Sequence, residues 1–231
     1  FPVSYQNALF SCDWAKGRIV CMRFKPNGST FQGEPEVFVE GTPMNATDIA
    51  VGPDGAIYFT TGGRGTAGGL YRVFWQGKVP PQVTALGGGI SAALKQPQFE
   101  SAWARQRILK IREELGAQWE PQLTAAAMQK NLPIEQRLRA LDLMQLFGPA
   151  PANDLLITLS SDEQMIVRAK AAYLLGIHGD ETTATRLSQM IHDPEPRVAR
   201  LAIEAISRSG QLTTIGNLAT PLACTDRHLA T

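Results

Sequence analysis

Cysteine, histidine and net charge are all scarce in this sequence, and each shortage removes a class of function. Its three cysteines, Cys12, Cys21 and Cys224, make neither a Cys-x-x-Cys pair nor a disulfide framework. No Cys-x-x-Cys-His is present to attach a c-type haem, and no histidine precedes His178. The 22 basic and 21 acidic residues leave a formal charge of +1, which gives no general attraction to nucleic acid, membranes or acidic substrates. No run approaches the roughly 20 apolar residues of a membrane span. No signal peptide is visible in a sequence that opens at Phe1.

What is present is unevenly distributed over the 231 residues. Of 21 glycines, 15 lie before residue 98, together with 12 of the 17 aromatics, whereas charged residues are dense after it. This asymmetry points to two domains of different class, a turn-rich β part followed by a helical part.

The helical part repeats itself at an interval of 31. Asn131, Asp162 and Asp193 stand in register, as do Ala140, Ala171 and Ala202, Leu143, Leu174 and Ala205, and Gly148, Gly179 and Gly210. Leu156 maps onto Leu187 and Leu218. A unit of this length is the mark of stacked helix pairs. Asn131, Asp162 and Asp193 suit helix N-caps, Pro133 and Pro194 the first helical turn, and the register glycines a helix end. Val167, Ala171, Leu174, Leu175 and His178 share one face, with Val198, Ala202, Ala205 and Ile206 on its counterpart. The helix carrying Ala104, Ile108, Ile111 and Leu115, and the following 119–130, fall outside the register and read as caps.

Residues 1–77 read as six short strands: 8–13, 18–24, 36–39, 48–51, 56–60 and 70–75. Turns are expected at Lys16-Gly17, Lys25-Pro26-Asn27-Gly28 and Gly52-Pro53-Asp54-Gly55, with a glycine-rich loop over 62–69. Strands without intervening helices form a meander, the unit of a propeller blade. Residues 78–97, with Pro80-Pro81 and Gly87-Gly88-Gly89, read as a linker.

Two runs carry a family resemblance: Asp48-Ile49-Ala50-Val51-Gly52-Pro53-Asp54-Gly55-Ala56-Ile57-Tyr58-Phe59-Thr60-Thr61-Gly62-Gly63-Arg64, continued by Leu70-Tyr71-Arg72-Val73, and the upstream Asp13-Trp14-x-x-Gly17-Arg18-Ile19. They resemble blades of the six-bladed glucose/sorbosone dehydrogenase-type propellers, and most of all the planctomycete-type "membrane-bound dehydrogenase" proteins. There a propeller is followed by HEAT repeats and then a c-type haem domain. Val167-Arg168-x-x-Ala171-Ala172-x-x-Leu175-Gly176 likewise resembles the HEAT signature.

The expected fold is therefore multidomain α and β. About one and a half antiparallel blades of a β-propeller occupy 1–77. A linker (78–97) and a HEAT-like α-solenoid (98–231) follow, with capping helices over 98–130 and repeats from 131. Residues 226–231 read as the start of a further repeat helix, so the chain is expected to be an internal fragment.

Candidate chemistry concentrates on the propeller rim. Arg64 in the glycine-rich run, Thr47 and Asp48 at a strand entry, and Asp13, Trp14 and Lys16 in the preceding blade are placed to converge there. The glycines allow an anion-binding nest of backbone N–H groups, or a plain hairpin connection. In the resembled dehydrogenases this rim binds pyrroloquinoline quinone and calcium beside a histidine base. The resemblance makes Arg64, Asp48 and Asp13 the cofactor-binding candidates; no catalytic residue and no metal ligand is assigned. Asp48 also reads as a turn cap. His178 and His192 are expected at helix ends, facing the negative end of the dipole. Cys12 and Cys21 are expected to face each other across a hairpin, as small buried hydrophobes or as a disulfide.

Two functions remain open. One is a fragment of a sorbosone dehydrogenase-like oxidoreductase, inactive alone, whose HEAT array positions the propeller against a haem domain or partner. That parent is expected to be extracytoplasmic or periplasmic, carrying pyrroloquinoline quinone with calcium and a downstream haem, none of it bound in this fragment. The other is a non-catalytic protein–protein interaction module. Both give the helical array a protein partner and neither predicts nucleic-acid binding or a membrane span.

Overall fold

A computed structural model describes residues 1–78 and 85–209. Six strands come first: β1 (Leu9–Asp13), β2 (Arg18–Asn27), β3 (Thr30–Glu40), β4 (Ala46–Val51), β5 (Ile57–Gly63) and β6 (Thr66–Val73). They form two three-stranded antiparallel sheets in the orders β1-β2-β3 and β4-β5-β6, with no closed barrel among the described residues. Eight α-helices follow among the described residues: α1 (Gly89–Leu94), α2 (Ala102–Leu115), α3 (Trp119–Met128), α4 (Ile134–Phe147), α5 (Asn153–Leu159), α6 (Met165–His178), α7 (Ala184–Met190) and α8 (Pro196–Ser209). No helix of the described residues is long and apolar enough to cross a membrane.

By contacts the described residues divide into two units, those of Phe1–Lys25 with Gln32–Glu114, and those of Pro26–Phe31 with the ones from Leu115 to residue 209. Part of the stretch read as a linker is the helix α1. The α2 helix groups with the sheets, because Trp103 Nε1 donates to Val51 O at the end of β4 (2.9 Å). Pro80, Pro81, Gly210, Leu218, Cys224 and the repeat start over 226–231 lie outside the described residues.

Alternation along the strands builds the core of the first unit. Phe10, Cys12, Ile19 and Cys21 share one face of the β1–β2 pair, and β1 packs against β4. Ile19, Met44, Ala46 and Phe59 are buried together, with Phe38, Ile49 and Val73 packed around them. Cys12 pairs with Ile19 and Cys21 with Phe10, so the two cysteines are diagonal rather than opposite, and both are free thiols. The expected face-to-face placement is corrected by this register. Burial pushes both thiols up from their ordinary range.

Turn chemistry fixes both sheets. At Gly17, with φ +62°, an added Cβ would stand 2.7 Å from Gly41 O, and the Gly41 N–H donates to Gly17 O. In the Gly52-Pro53-Asp54-Gly55 turn one carboxylate does most of the tying. Asp54 accepts from the Ala56 N–H (3.1 Å), the Tyr58 hydroxyl (2.9 Å) and Arg72 Nη2 (2.8 Å). The Ala56 N–H, then Arg72 and Tyr58, hold its carboxyl below the usual range. The glycine-rich run departs from the expected loop: β5 runs through Gly63, β6 starts at Thr66, and Thr61 pairs with Gly69. Only Arg64 and Gly65 remain as the turn, with φ +50° and +80°. Positive φ at both central residues matches the twist of a two-residue hairpin.

In the second unit the 31-residue register becomes a packing register. Ala140, Ala171 and Ala202 are all 0% exposed, as are Leu143, Leu174 and Ala205. Leu156 and Leu187 are buried in the second helix of each pair. The α6 helix packs on α8, and α3, α5 and α7 pack respectively on α4, α6 and α8. Alanine in the contact row sets how closely the helices approach. At Gly176 a Cβ would lie 2.6 Å from Ala205 Cβ and 2.7 Å from its Cα.

The helix ends depart from the expected caps. The residues at the N-cap positions of α4 and α6 are Pro133 and Gln164, neither making a side-chain cap bond. Asp162 instead accepts from the Gln164 N–H (2.9 Å) and Asp193 from the Glu195 N–H (3.0 Å), in turns that precede the helices. Pro196, not Pro194, is the first residue of α8. Gly148 ends α4 at φ +68° and ψ 170°, a conformation that favours glycine but is not the left-handed helical stop expected, and Gly179 follows α6 at φ −64°. Its lack of a side chain serves close approach instead, since a Cβ there would meet Leu175 O at 2.2 Å.

Candidate functional site

The rim residues separate into one assembled pair and two that are occupied elsewhere. The Arg64 guanidinium carbon stands 5.3 Å from the Trp14 ring centroid, within reach of a cation–π attraction. Trp14 is itself fixed, its Nε1 donating to Gly62 O (2.9 Å) and its carbonyl accepting from Asn45 Nδ2 (3.0 Å). The Gly62 N–H donates to Asn45 O (2.9 Å), closing the loop between the two sheets.

Asp13 is turned to its own hairpin. It accepts from Arg18 Nε (3.0 Å) and the Lys16 N–H (3.3 Å), and the Arg18 hydrogen bond above all holds its carboxyl below the usual range. Asp48 is exposed beside a register shift in β4 and accepts from the N–H of the next residue, Ile49 (2.8 Å). Thr47 shares its hydroxyl with that of Thr60 (2.9 Å). Calcium takes six to eight oxygen ligands. Among the described residues no three His, Cys, Asp or Glu side chains gather to start such a set. Of the three candidates, Arg64 would supply positive charge toward a quinone cofactor, and Asp13 and Asp48 the carboxylates.

The second unit has a polar feature that sequence reasoning missed. Arg137 on α4 reaches Asp162 with Nη2–Oδ2 at 2.5 Å and Nη1–Oδ1 at 3.3 Å, while its Nε donates to Ala127 O (2.9 Å). One unit later Arg168 on α6 reaches Asp193 at 2.8 and 2.9 Å, and its Nη1 donates to Asp162 O (2.9 Å). Each step is a two-pronged guanidinium–carboxylate pair that ties the first helix of one unit to the entry of the next. The Arg137 pair is nearly sealed, its side chains 3% and 6% exposed. Burial pushes the Asp162 and Asp193 carboxyls up. In each case the arginine, joined by the backbone N–H and the surrounding positive charge, outweighs burial, so both end below the usual range. The signal was available: the shift that carries Asp162 to Asp193 also carries Arg137 to Arg168.

Of the three histidines, His178 and His192 lie among the described residues. His178, the last residue of α6, is hydrogen-bonded through Nε2 to Gln145 Oε1. His192 lies past the end of α7 rather than closing it as expected, because the helix stops at Met190.

A groove opens between α3 and α5, closed at one end by the connection 149–152. It encloses about 410 Å³ over Met128, Pro149, Pro151 and Leu155, with Glu120 and Asp154 at its edges. These two carboxylates stand in the first turns of α3 and α5, where a negative charge suits the helix dipole.

Residues 120–207 match the family model for HEAT repeats. The match spans α3 to α8, and so takes in both steps of the Arg–Asp ladder and the groove. Within it α5 packs on α6 and α7 on α8, as in stacked helix pairs. Arrays of such pairs commonly serve as protein-interaction scaffolds, because each pair adds surface without closing the stack. No curated protein matches the chain.

Proposed function

We propose that the chain acts as a protein-interaction scaffold, with the HEAT array as its working surface. The carrying observation is the stacked array over 120–207, whose inward charges are consumed by the ladder and whose α3–α5 groove stays open. Affinity capture of the full chain from its own cells, followed by reconstitution with the purified partner, tests this reading. A stoichiometric protein complex with crosslinks inside 120–207 is expected. A chain that forms no such complex, or one crosslinked only through residues 1–77, contradicts it.

A second reading rests on the 48–73 run and the Arg64–Trp14 pair. In it the two meanders are blades of a glucose/sorbosone dehydrogenase-like propeller in an extracytoplasmic parent oxidoreductase, and the array holds the propeller against a haem domain or another partner. Two adjacent three-stranded antiparallel sheets sharing a core support the blade geometry. With Asp13 and Asp48 engaged locally, no chemical step is assigned to these residues. The isolated chain is expected not to oxidise sugars when pyrroloquinoline quinone and calcium are added; turnover would contradict that expectation.

A further inference from the structure

We infer that the α3–α5 groove is a docking site for a short segment of a partner protein, one that presents a large apolar side chain flanked by lysine or arginine. The inference rests on the scaffold reading and names the chemistry of its partner.

The floor and walls are apolar, and Met128 is 41% exposed at the groove although it is a large hydrophobe on a packed helix. A volume of about 410 Å³ exceeds what one side chain fills and lies within the range of sites that bury a ligand. Methionine suits such a wall because its unbranched, polarisable chain adapts to different occupants. The connection over 149–152 carries Pro149 and Pro151, whose fixed φ limits its freedom. A wall that changes little on binding loses little entropy there.

Charge selects among apolar occupants. Glu120 and Asp154 are exposed at the groove edges, and neither carboxylate has a hydrogen bond or ion pair among the described residues. Neighbouring charges are already satisfied: Asp162 by Arg137, Asp193 by Arg168, Asp142 by Lys170 and Glu163 by Lys130. A segment with basic residues on both sides of its apolar anchor meets a carboxylate at each edge, whereas an acidic segment is repelled at both. Such complementarity contributes more to selectivity and association rate than to raw affinity.

The test is selection of a random 12-residue peptide library on the full chain, followed by anisotropy titration of the enriched peptides. Three variants are compared, each checked for unchanged circular dichroism and melting: Met128→Asp, Thr124→Lys on the groove wall, and the double reversal Glu120→Lys with Asp154→Lys. Enriched peptides should carry a large apolar residue between basic ones. Binding should weaken about tenfold or more in each variant, a loss of roughly 1.4 kcal/mol, and the double reversal should select acidic flanks instead. Thr124→Lys keeps the test open if Met128→Asp fails to fold. Neutral or acidic flanks on the unaltered chain, affinities indifferent to all three variants, or no enrichment would each overturn the proposal. Binders indifferent to the groove variants would leave the scaffold reading intact, whereas failure of partner capture would sink the scaffold reading itself.

Discussion

Removing the Asp162 carboxylate isolates a guanidinium that has almost no access to water. In Asp162→Ala, Arg137 retains Ala127 O as an acceptor but loses both carboxylate contacts, at a site where its side chain is 3% exposed. Breaking a buried pair by deleting one partner costs about 3–5 kcal/mol, because the remaining charge stays desolvated without compensation. That is a large share of the roughly 5–15 kcal/mol that holds a domain folded. The pair Lys130–Glu163 serves as the control, since its N–O distance is also 2.5 Å but its side chains are 66% and 76% exposed. Solvent screens it, and the two long side chains lose freedom in meeting. Urea unfolding of the full chain, followed by helical circular dichroism, separates the two cases. With a slope of about 2 kcal/mol per molar urea, Asp162→Ala should lower the midpoint of the helical transition by about 2 M. Glu163→Ala should leave it nearly unchanged. Equal midpoints for the two variants would refute the claim that burial, rather than distance, sets the weight of each pair.

Three further expectations follow from the same geometry. Gly176→Ala should destabilise the array by about 1–3 kcal/mol in urea unfolding, because overpacking against Ala205 outweighs alanine's gain in helix propensity of about 1 kcal/mol; a stabilised variant would mean that α6 and α8 are not in close contact. Acid should weaken the ladder. The folded carboxyls of Asp162 and Asp193 lie below their unfolded value of about 3.9, so their contribution is fully present above that pH and is lost as pH falls through the folded values. Melting temperature should therefore hold steady from pH 7 to about 5 and drop below about 4, and less steeply when both residues are changed to Asn; equal acid slopes would contradict the ladder's role. In the first unit, Trp14→Phe removes the donor to Gly62 O and should cost about 1 kcal/mol, with faster hydrogen exchange at Gly62 and Arg64; unchanged exchange would show that Trp14 does not fasten the β5–β6 hairpin.

The sequence carried the array well because a repeated unit is self-checking. Ala140, Ala171 and Ala202, placed in one row by spacing alone, are all buried in one row. Side-chain partners were less legible. Asp162 and Asp193 have the residue type of an N-cap, and spacing cannot say whether their oxygens turn to a helix end or to an arginine 25 positions earlier. Glycine is poor in strands, so the sequence of the glycine-rich run points to a loop. The pairing of Thr61 with Gly69 and Gly63 with Thr66 overrode that preference and left a two-residue turn. The local contacts of Asp13 with Arg18 and of Asp48 with the Ile49 N–H are likewise not legible from residue type. The groove was not readable at all. Its edges, Glu120 and Asp154, lie on α3 and α5, and α3 stands outside the 31-residue register, so no spacing rule brings them together.

The proposed role of the array over 120–207 is to present a surface to another protein. Its most direct measurement is isothermal titration of the full chain with the purified captured partner, beside the same titration with the Glu120→Lys, Asp154→Lys chain. Saturable binding at a fixed stoichiometry is expected, weakened about tenfold or more by the double reversal. Identical titrations of the two chains would contradict the groove as the docking point, and a flat titration of the unaltered chain would contradict the scaffold itself.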